Sequence, residues 1–252
     1  MDLITVTLAS LFAGFVDAIV GGGGLILTPA LFSVYPAAQP ATLFGTNKGA
    51  AVWGTAWAAT QYARKVSMRW GALLPAAAAA LVGSFVGAWV VTLVSPSGMR
   101  RALPLVLLAV LIYTLVRKDM GRHHTPLYSG RTEALVASTL GGVIGFYDGF
   151  FGPGTGSFFV FAFVRLLGYD FLSASASAKL LNTATNAAAI TLFAWKGHVW
   201  WHIAAAMAVA NVIGSLLGTR LALKHGAGFV RGVFIVVVSA LIAKTGWDAL
   251  RL

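Results

Sequence analysis

Gly14-Phe15-Val16-Asp17 returns as Gly145-Phe146-Tyr147-Asp148, 131 residues further along the chain. The same offset carries Gly21 onto Gly152, Gly23 onto Gly154 and Lys48 onto Lys179, without a gap. It continues through Lys65 and Lys196, Trp70 and Trp201, Gly83-Ser84 and Gly214-Ser215, Gly87 and Gly218, and Arg100 and Arg231. Convergent use of Gly in helices explains some glycine pairs, but it does not hold Asp17/Asp148 and Lys48/Lys179 in one register. The chain therefore reads as a duplication, the arrangement from which many transporters are built.

Around these phrases the composition is that of a membrane protein. Of 252 residues, 58% are hydrophobic and 10% charged, with mean hydropathy +0.83. Soluble domains carry about a quarter charged residues. Runs such as 76–94 and 102–116 approach the roughly 20 apolar residues that a spanning helix needs. The net charge of +11 does not indicate nucleic acid, because the basic residues sit at the ends of apolar runs, as in the topology signal of membrane proteins. Cys is absent, which excludes a disulfide framework and a thiolate metal site. No separate signal peptide stands out, and the first apolar run is expected to be part of the mature fold.

The expected architecture is an all-α integral membrane bundle of two homologous repeats, 1–117 and 132–252, joined by a basic linker at 118–131 that carries His123 and His124. In the first repeat, apolar stretches are expected near 3–20, 25–35, 42–63, 71–94 and 100–117. The second offers 133–151, 157–168, 171–195, 201–222 and 229–249. The first element of each half is broken by glycines, at Gly21 to Gly24 and at Gly152 to Gly156, which suggests a discontinuous or re-entrant helix. Charge favours inverted repeats. That arrangement puts Arg64, Lys65, Arg69, Arg117, Lys118, Arg122, Arg131, Arg220, Lys224 and Arg231 on one side. Arg100, Arg101, Lys196, Lys244 and Arg251 fall on the other, with Arg165 near an interface, and the Arg100/Arg101 pair argues against inversion.

Four ionisable residues, Asp17, Lys48, Asp148 and Lys179, lie inside apolar surroundings. A charge at the bilayer centre costs about 2.5–3.5 kcal/mol even on lenient scales, so such residues face a cavity or a partner. They read either as a structural Asp–Lys bridge within each half or as a substrate or proton pathway where the repeats meet. Ser175, Lys179, Asn182 and Asn186 share one helical face, a surface of donors and positive charge suited to an oxyanion. The matching face of the first half is Phe44, Lys48, Ala51 and Thr55, with Thr46 and Asn47 beside it. Asn182 and Asn186 also fit a role as interhelical glue. The glycine clusters lack the Lys-Ser/Thr ending of a phosphate loop. They read either as tight turns or as helix N-termini, at Gly23 and Gly154, whose backbone N–H groups attract an anion.

These stretches resemble the TauE/SafE sulfite exporter family. The resemblance rests on Gly14 to Asp17, Gly21 to Gly24, Pro29 and Gly45-Thr46-Asn47-Lys48 in the first half. In the second it rests on Gly145 to Gly156 and Ala178-Lys179-Leu180-Leu181-Asn182. It covers essentially the whole chain, and implies export of sulfite or an organosulfonate across a bacterial inner membrane, with Lys48 and Lys179 binding the anion.

The expectation is a multi-pass secondary transporter for a small sulfur oxyanion, driven by ion gradients since nothing resembles an ATP-binding motif. Lys48 and Lys179 neutralise the substrate, Thr46, Asn47, Asn182 and Asn186 bind its oxygens, and Gly23 and Gly154 supply backbone donors. Asp17 and Asp148 are candidates for proton coupling. No cofactor, metal or nucleic acid is expected; the partners are the anion, membrane lipid and, left open, a second copy in a homodimer. A passive anion channel is the closest rival. A divalent-cation transporter fits less well, as Met is sparse and His lies at loop ends, and no constellation suits an intramembrane enzyme.

Overall fold

The computed structural model describes residues 2–95, 97–99 and 125–249, and their regular structure is entirely helical. The expected span at 100–117 and most of the 118–131 linker, with Arg100, Arg101, Arg117, Lys118, Arg122, His123 and His124, lie outside the described residues. So do Arg251 and the side chains of Arg231 and Lys244. The first half contributes α1 (Asp2–Val20), α2 (Gly23–Val34), α3 (Pro40–Lys65) and α4 (Trp70–Val91). The second contributes α5 (Gly130–Phe150), α6 (Thr155–Leu167), α7 (Phe171–Trp195) and α8 (Trp201–Ala249). The two sets start and stop in near-register with the 131-residue offset. Gly130 and Arg131 belong to α5 rather than to a linker. Within α8 the helical backbone is interrupted at Gly226, whose φ of 71° and ψ of −164° leave the helical region, so two helices meet there, in keeping with the two elements expected at 201–222 and 229–249.

Local chemistry explains the element ends. Pro40 opens α3, where its missing N–H costs nothing. Asp170 caps α7, accepting from Leu172 N at 2.8 Å and Ser173 N at 3.0 Å. The breaks between α1 and α2 and between α5 and α6 turn on Gly21 and Gly152, with φ of 79° and 85°, a left-handed conformation that L side chains avoid. At twelve residues, α2 is about 18 Å long, well short of the roughly 30 Å hydrocarbon core. It folds back along α1: Gly23 rests against Ala13 and Asp17, and Leu27 and Leu31 pack with Val6.

The halves grip each other by exchanging ends. The first helix of one half lies along the last described helix of the other, and both members of each pair run in the same direction. Gly14 meets the Asn211 carbonyl and Gly218 meets that of Phe15, joining α1 to α8. Shifted by 131 residues, the same contacts recur as Gly145 on Ala80 and Gly87 on Phe146, joining α5 to α4. Small residues let these backbones touch, the usual device of membrane helix pairs. Across the centre, α3 and α7 run antiparallel, with Gly45 against Phe193 and Thr55 bonded to Asn186.

Outward-facing Leu8, Phe12, Val82, Trp89, Leu135, Val143, Val209 and Ile213 give the bundle an apolar exterior. Three helical segments, Asp2–Val20, Trp70–Val91 and Trp201–Val230, are long and apolar enough to cross a bilayer. Helices α3 and α7 have the length but carry the polar residues of the interior.

One end of the bundle is tied by charge. Glu133, at the start of α5, is 4% exposed and accepts from Arg69 Nη2 at 2.7 Å and from the Tyr169 hydroxyl at 2.5 Å. Arg69 Nε donates to Oε1, the oxygen that also accepts from Tyr169. Burial, then the Glu133 carboxylate, push the Tyr169 phenol up from its ordinary value. The repeat counterparts of Arg69, Glu133 and Tyr169 are Trp200, Asp2 and Ala38, which cannot form the same knot.

Candidate functional site

Both glycine breaks meet at the centre of the molecule. Gly21 packs directly on Gly156, and Ser157 N donates to the Gly21 carbonyl at 3.0 Å. Gly24 abuts Gly152 and Pro153. Irregular backbone at this depth is tolerated because each break is covered by the other and by the cavity they enclose. That cavity has a volume of about 30 Å³, room for roughly two waters. Asp17, Lys48, Asp148, Asn47, Asn182 and Asn186 face it, together with Gly23, Thr55, Thr155 and Asn211.

The four membrane charges form two ion pairs, and both pairs cross between the halves. Lys48 Nζ lies 2.6 Å from Asp148 Oδ2, and Lys179 Nζ lies 2.8 Å from Asp17 Oδ2. A bridge within each half, the structural alternative suggested by the sequence, is not what forms. Each lysine reaches instead to the discontinuous element of the opposite repeat. All four residues are at most 8% exposed. Buried charges survive there only because each is neutralised by its partner.

The two pairs are built differently. Asp17 accepts from Lys179 through Oδ2 and from the Gly23 N–H through Oδ1, the latter at 3.3 Å. The first donor of α2, expected to be free for an anion, is therefore taken by the protein's own carboxylate. Asp148 Oδ2 touches Lys48 without hydrogen-bond alignment and has no hydrogen-bond partner despite its burial. The second break is held instead by the Tyr147 hydroxyl, which donates to Pro153 O at 2.6 Å.

Asn47 donates to Thr28 at 3.0 Å, and Asn186 donates to Thr55 at 3.3 Å. Thr55 and Asn186 are repeat counterparts, so this bond joins equivalent positions across the centre. Three sequence-predicted residues stand off the cavity wall. Lys179 is fully buried behind Asp17. Gly154 shapes the turn into α6 with φ of 83°. Thr46 donates to Thr42 O at 2.7 Å and accepts from Trp200 N at 3.1 Å, fastening the α7–α8 connection to α3. Thr55, which the sequence puts on the face of Lys48, also lines the cavity, and two further lining residues had no role in the sequence reading: Thr155, inside the second break, and Asn211, an amide in an apolar run whose counterpart is Ala80. No group of three or more metal-ligating side chains occurs among the described residues.

The family described as sulfite exporter TauE/SafE matches residues 6–245. The chain is similar to a probable membrane transporter protein, ORF9, of Sinorhizobium, with 36% identity over 94% of this chain and 89% of the relative. It resembles the probable membrane transporter protein YfcA of Escherichia coli at 36% identity, covering 95% and 88% of the two chains. A probable membrane transporter protein of Haemophilus influenzae is 33% identical over 98% of each. No solved structure matches the chain. A bundle of apolar helices around a charged, glycine-framed cavity is what a multi-pass transporter requires, and the chain belongs to the TauE/SafE family of membrane transporters, not to a family of enzymes.

Proposed function

We propose that this transporter moves a small sulfur oxyanion, sulfite or a short organosulfonate, outward across a bacterial inner membrane together with a proton. The observation that carries the reading is the charge of the cavity site. With Lys48–Asp148 and Lys179–Asp17 both closed, the site is neutral, although it is rich in amide and hydroxyl donors. An added anion is stable at this depth only if a positive charge is released, and protonating one aspartate does that. Substrate and proton then bind together, which is the basis of coupling. The Lys48 ammonium at the cavity wall is engaged by Asp148, so it can meet an oxyanion only when that pair separates. The family's description supports sulfite, and a short organosulfonate offers the same anionic sulfur–oxygen head.

We also infer that the repeats, divided at the basic linker, are inverted in the membrane. The antiparallel course of the equivalent helices α3 and α7 supports this, as does the same-direction pairing of α1 with α8 and of α4 with α5. On that topology Arg64, Lys65, Arg69, Arg131, Arg165, Arg220 and Lys224 share one end, facing the cytoplasm, and Lys196 stands at the other. Trp70 and Trp201, exposed at the starts of α4 and α8, then mark opposite interfaces.

The test is sulfite flux into liposomes containing the purified protein. Saturable flux that follows an imposed pH gradient, and that Lys48→Ala abolishes, is the expected result. Flux that neither saturates nor responds to the gradient favours the passive channel, and undiminished flux in Lys48→Ala removes the anion site from this cavity.

A further inference from the structure

We infer that the two ion pairs, symmetric in sequence, have divided the work: Lys48–Asp148 opens to take substrate and proton, while Lys179 is a positioning residue that holds Asp17 across the first break. The inference rests on the oxyanion reading above for what is carried, and on geometry alone for which pair moves.

Access separates the lysines. Lys48 faces the cavity, whereas Lys179 is 0% exposed and has Asp17 between its ammonium group and the open space. Binding separates the aspartates. Both oxygens of Asp17 are held, one by Lys179 and one by the Gly23 N–H, so this carboxylate ties α1, α2 and α7 together. Asp148 Oδ2 is buried and meets only the Lys48 ammonium, at 2.6 Å and with no further hydrogen-bond donor on it, so separation of that one contact opens the oxygen to a proton. The surroundings also favour movement at Lys48. Its Nζ lies over Gly152, where even a Cβ would approach it to 3.2 Å, so the bare backbone leaves the amine a path along the second break.

The ionisable groups around Asp148 are few among the described residues. Lys48 comes from α3, Asp17 faces it across the cavity from α1, and Tyr147 precedes it on its own helix. Helices α2 and α4 contribute none, Arg165 on α6 lies at the far end, and Lys179 on α7 is engaged by Asp17. Charge balances through the cycle. A proton on Asp148 Oδ2 frees the Lys48 ammonium for a monoanionic substrate, hydrogensulfite or a sulfonate, and the loaded site is again neutral. Loss of the proton returns Lys48 to Asp148 and expels the anion.

Neutralising each pair as a whole tests the division, since neither double variant leaves a buried charge alone. In liposomes, Lys48→Met/Asp148→Asn is expected to keep its melting temperature, to raise the sulfite KM at least about thirtyfold and to flatten the pH profile of flux. Lys179→Met/Asp17→Asn is expected to lower the maximal rate and the melting temperature, with KM within about threefold of the native value and the pH profile unmoved. The reverse pattern, or the same effect from both, overturns the assignment. A second readout needs no substrate. The native chain contains no Cys, so Lys48→Cys and Lys179→Cys/Asp17→Asn can each be labelled with a small anionic methanethiosulfonate. Labelling at least about tenfold faster at position 48 is expected, and equal reactivity, including none at either, refutes the proposal. If the native protein carries no sulfite, the substrate reading fails while the labelling contrast still decides which pair opens.

Discussion

The first and second glycine breaks occupy equivalent positions in the two repeats, yet they are secured in different ways. At the first, Asp17 caps the restarting helix and holds Lys179, so charge and backbone form one closed unit. At the second, Tyr147 pins Pro153 from the side, and the Asp148 carboxylate is left facing Lys48. Duplication gave two equivalent breaks, and the neighbouring side chains hold them with different contacts, the basis of the rigid and responsive roles inferred above. In a symmetric scaffold, function is therefore located by where the symmetry fails.

The largest effect in this comparison is expected from single neutralisations. Asp17→Asn leaves Lys179 charged and fully buried, an arrangement that costs about 3–5 kcal/mol. Asp148→Asn leaves Lys48 beside a wet polar cavity and should cost less than half of that. Thermal unfolding in detergent measures both, and equal losses would remove the rigid-versus-responsive contrast. Next come the glycines. Gly21→Ala meets a left-handed φ of 79° and the backbone of Gly156 together, for a cost of about 2–5 kcal/mol. Gly152→Ala meets a similar φ but only the movable end of Lys48 and one carbonyl at 3.2 Å, so it should fold better while slowing transport. Yield of monodisperse protein together with flux separates the two. The smallest effect concerns the bundle end: Glu133→Gln should cost about 1.5–3 kcal/mol through its charged hydrogen bonds. The equivalent Asp2→Asn, at an exposed position, should be neutral in the same melt.

Much of this could be read before the structure, because it is local or periodic. The offset that aligns Asp17 with Asp148 also aligns the helices, and Gly21 and Gly152 mark the breaks where they occur. The pairing could not be read. Asp17 and Lys48 are separated by the same interval as Asp148 and Lys179, so spacing suggested a bridge within each half. Only the exchange of ends between halves brings each lysine to the distant aspartate. Helical periodicity places Lys179 on the same face as Asn182 and Asn186, but it cannot show that Asp17 screens the lysine from the cavity. Thr46 illustrates a similar limit, since a hydroxyl next to Asn47 looks like a ligand until the α7–α8 connection is found bonded to it.

The contact of Gly21 with Gly156 has a mechanical consequence. Two chains that touch backbone to backbone, with no side chain between them, cannot slide past each other without losing the Ser157 bond to Gly21. They can, however, tilt about that point. On the proposed transport cycle, a small rotation about this crossing would be carried outward along the helices on either side, as about a fulcrum.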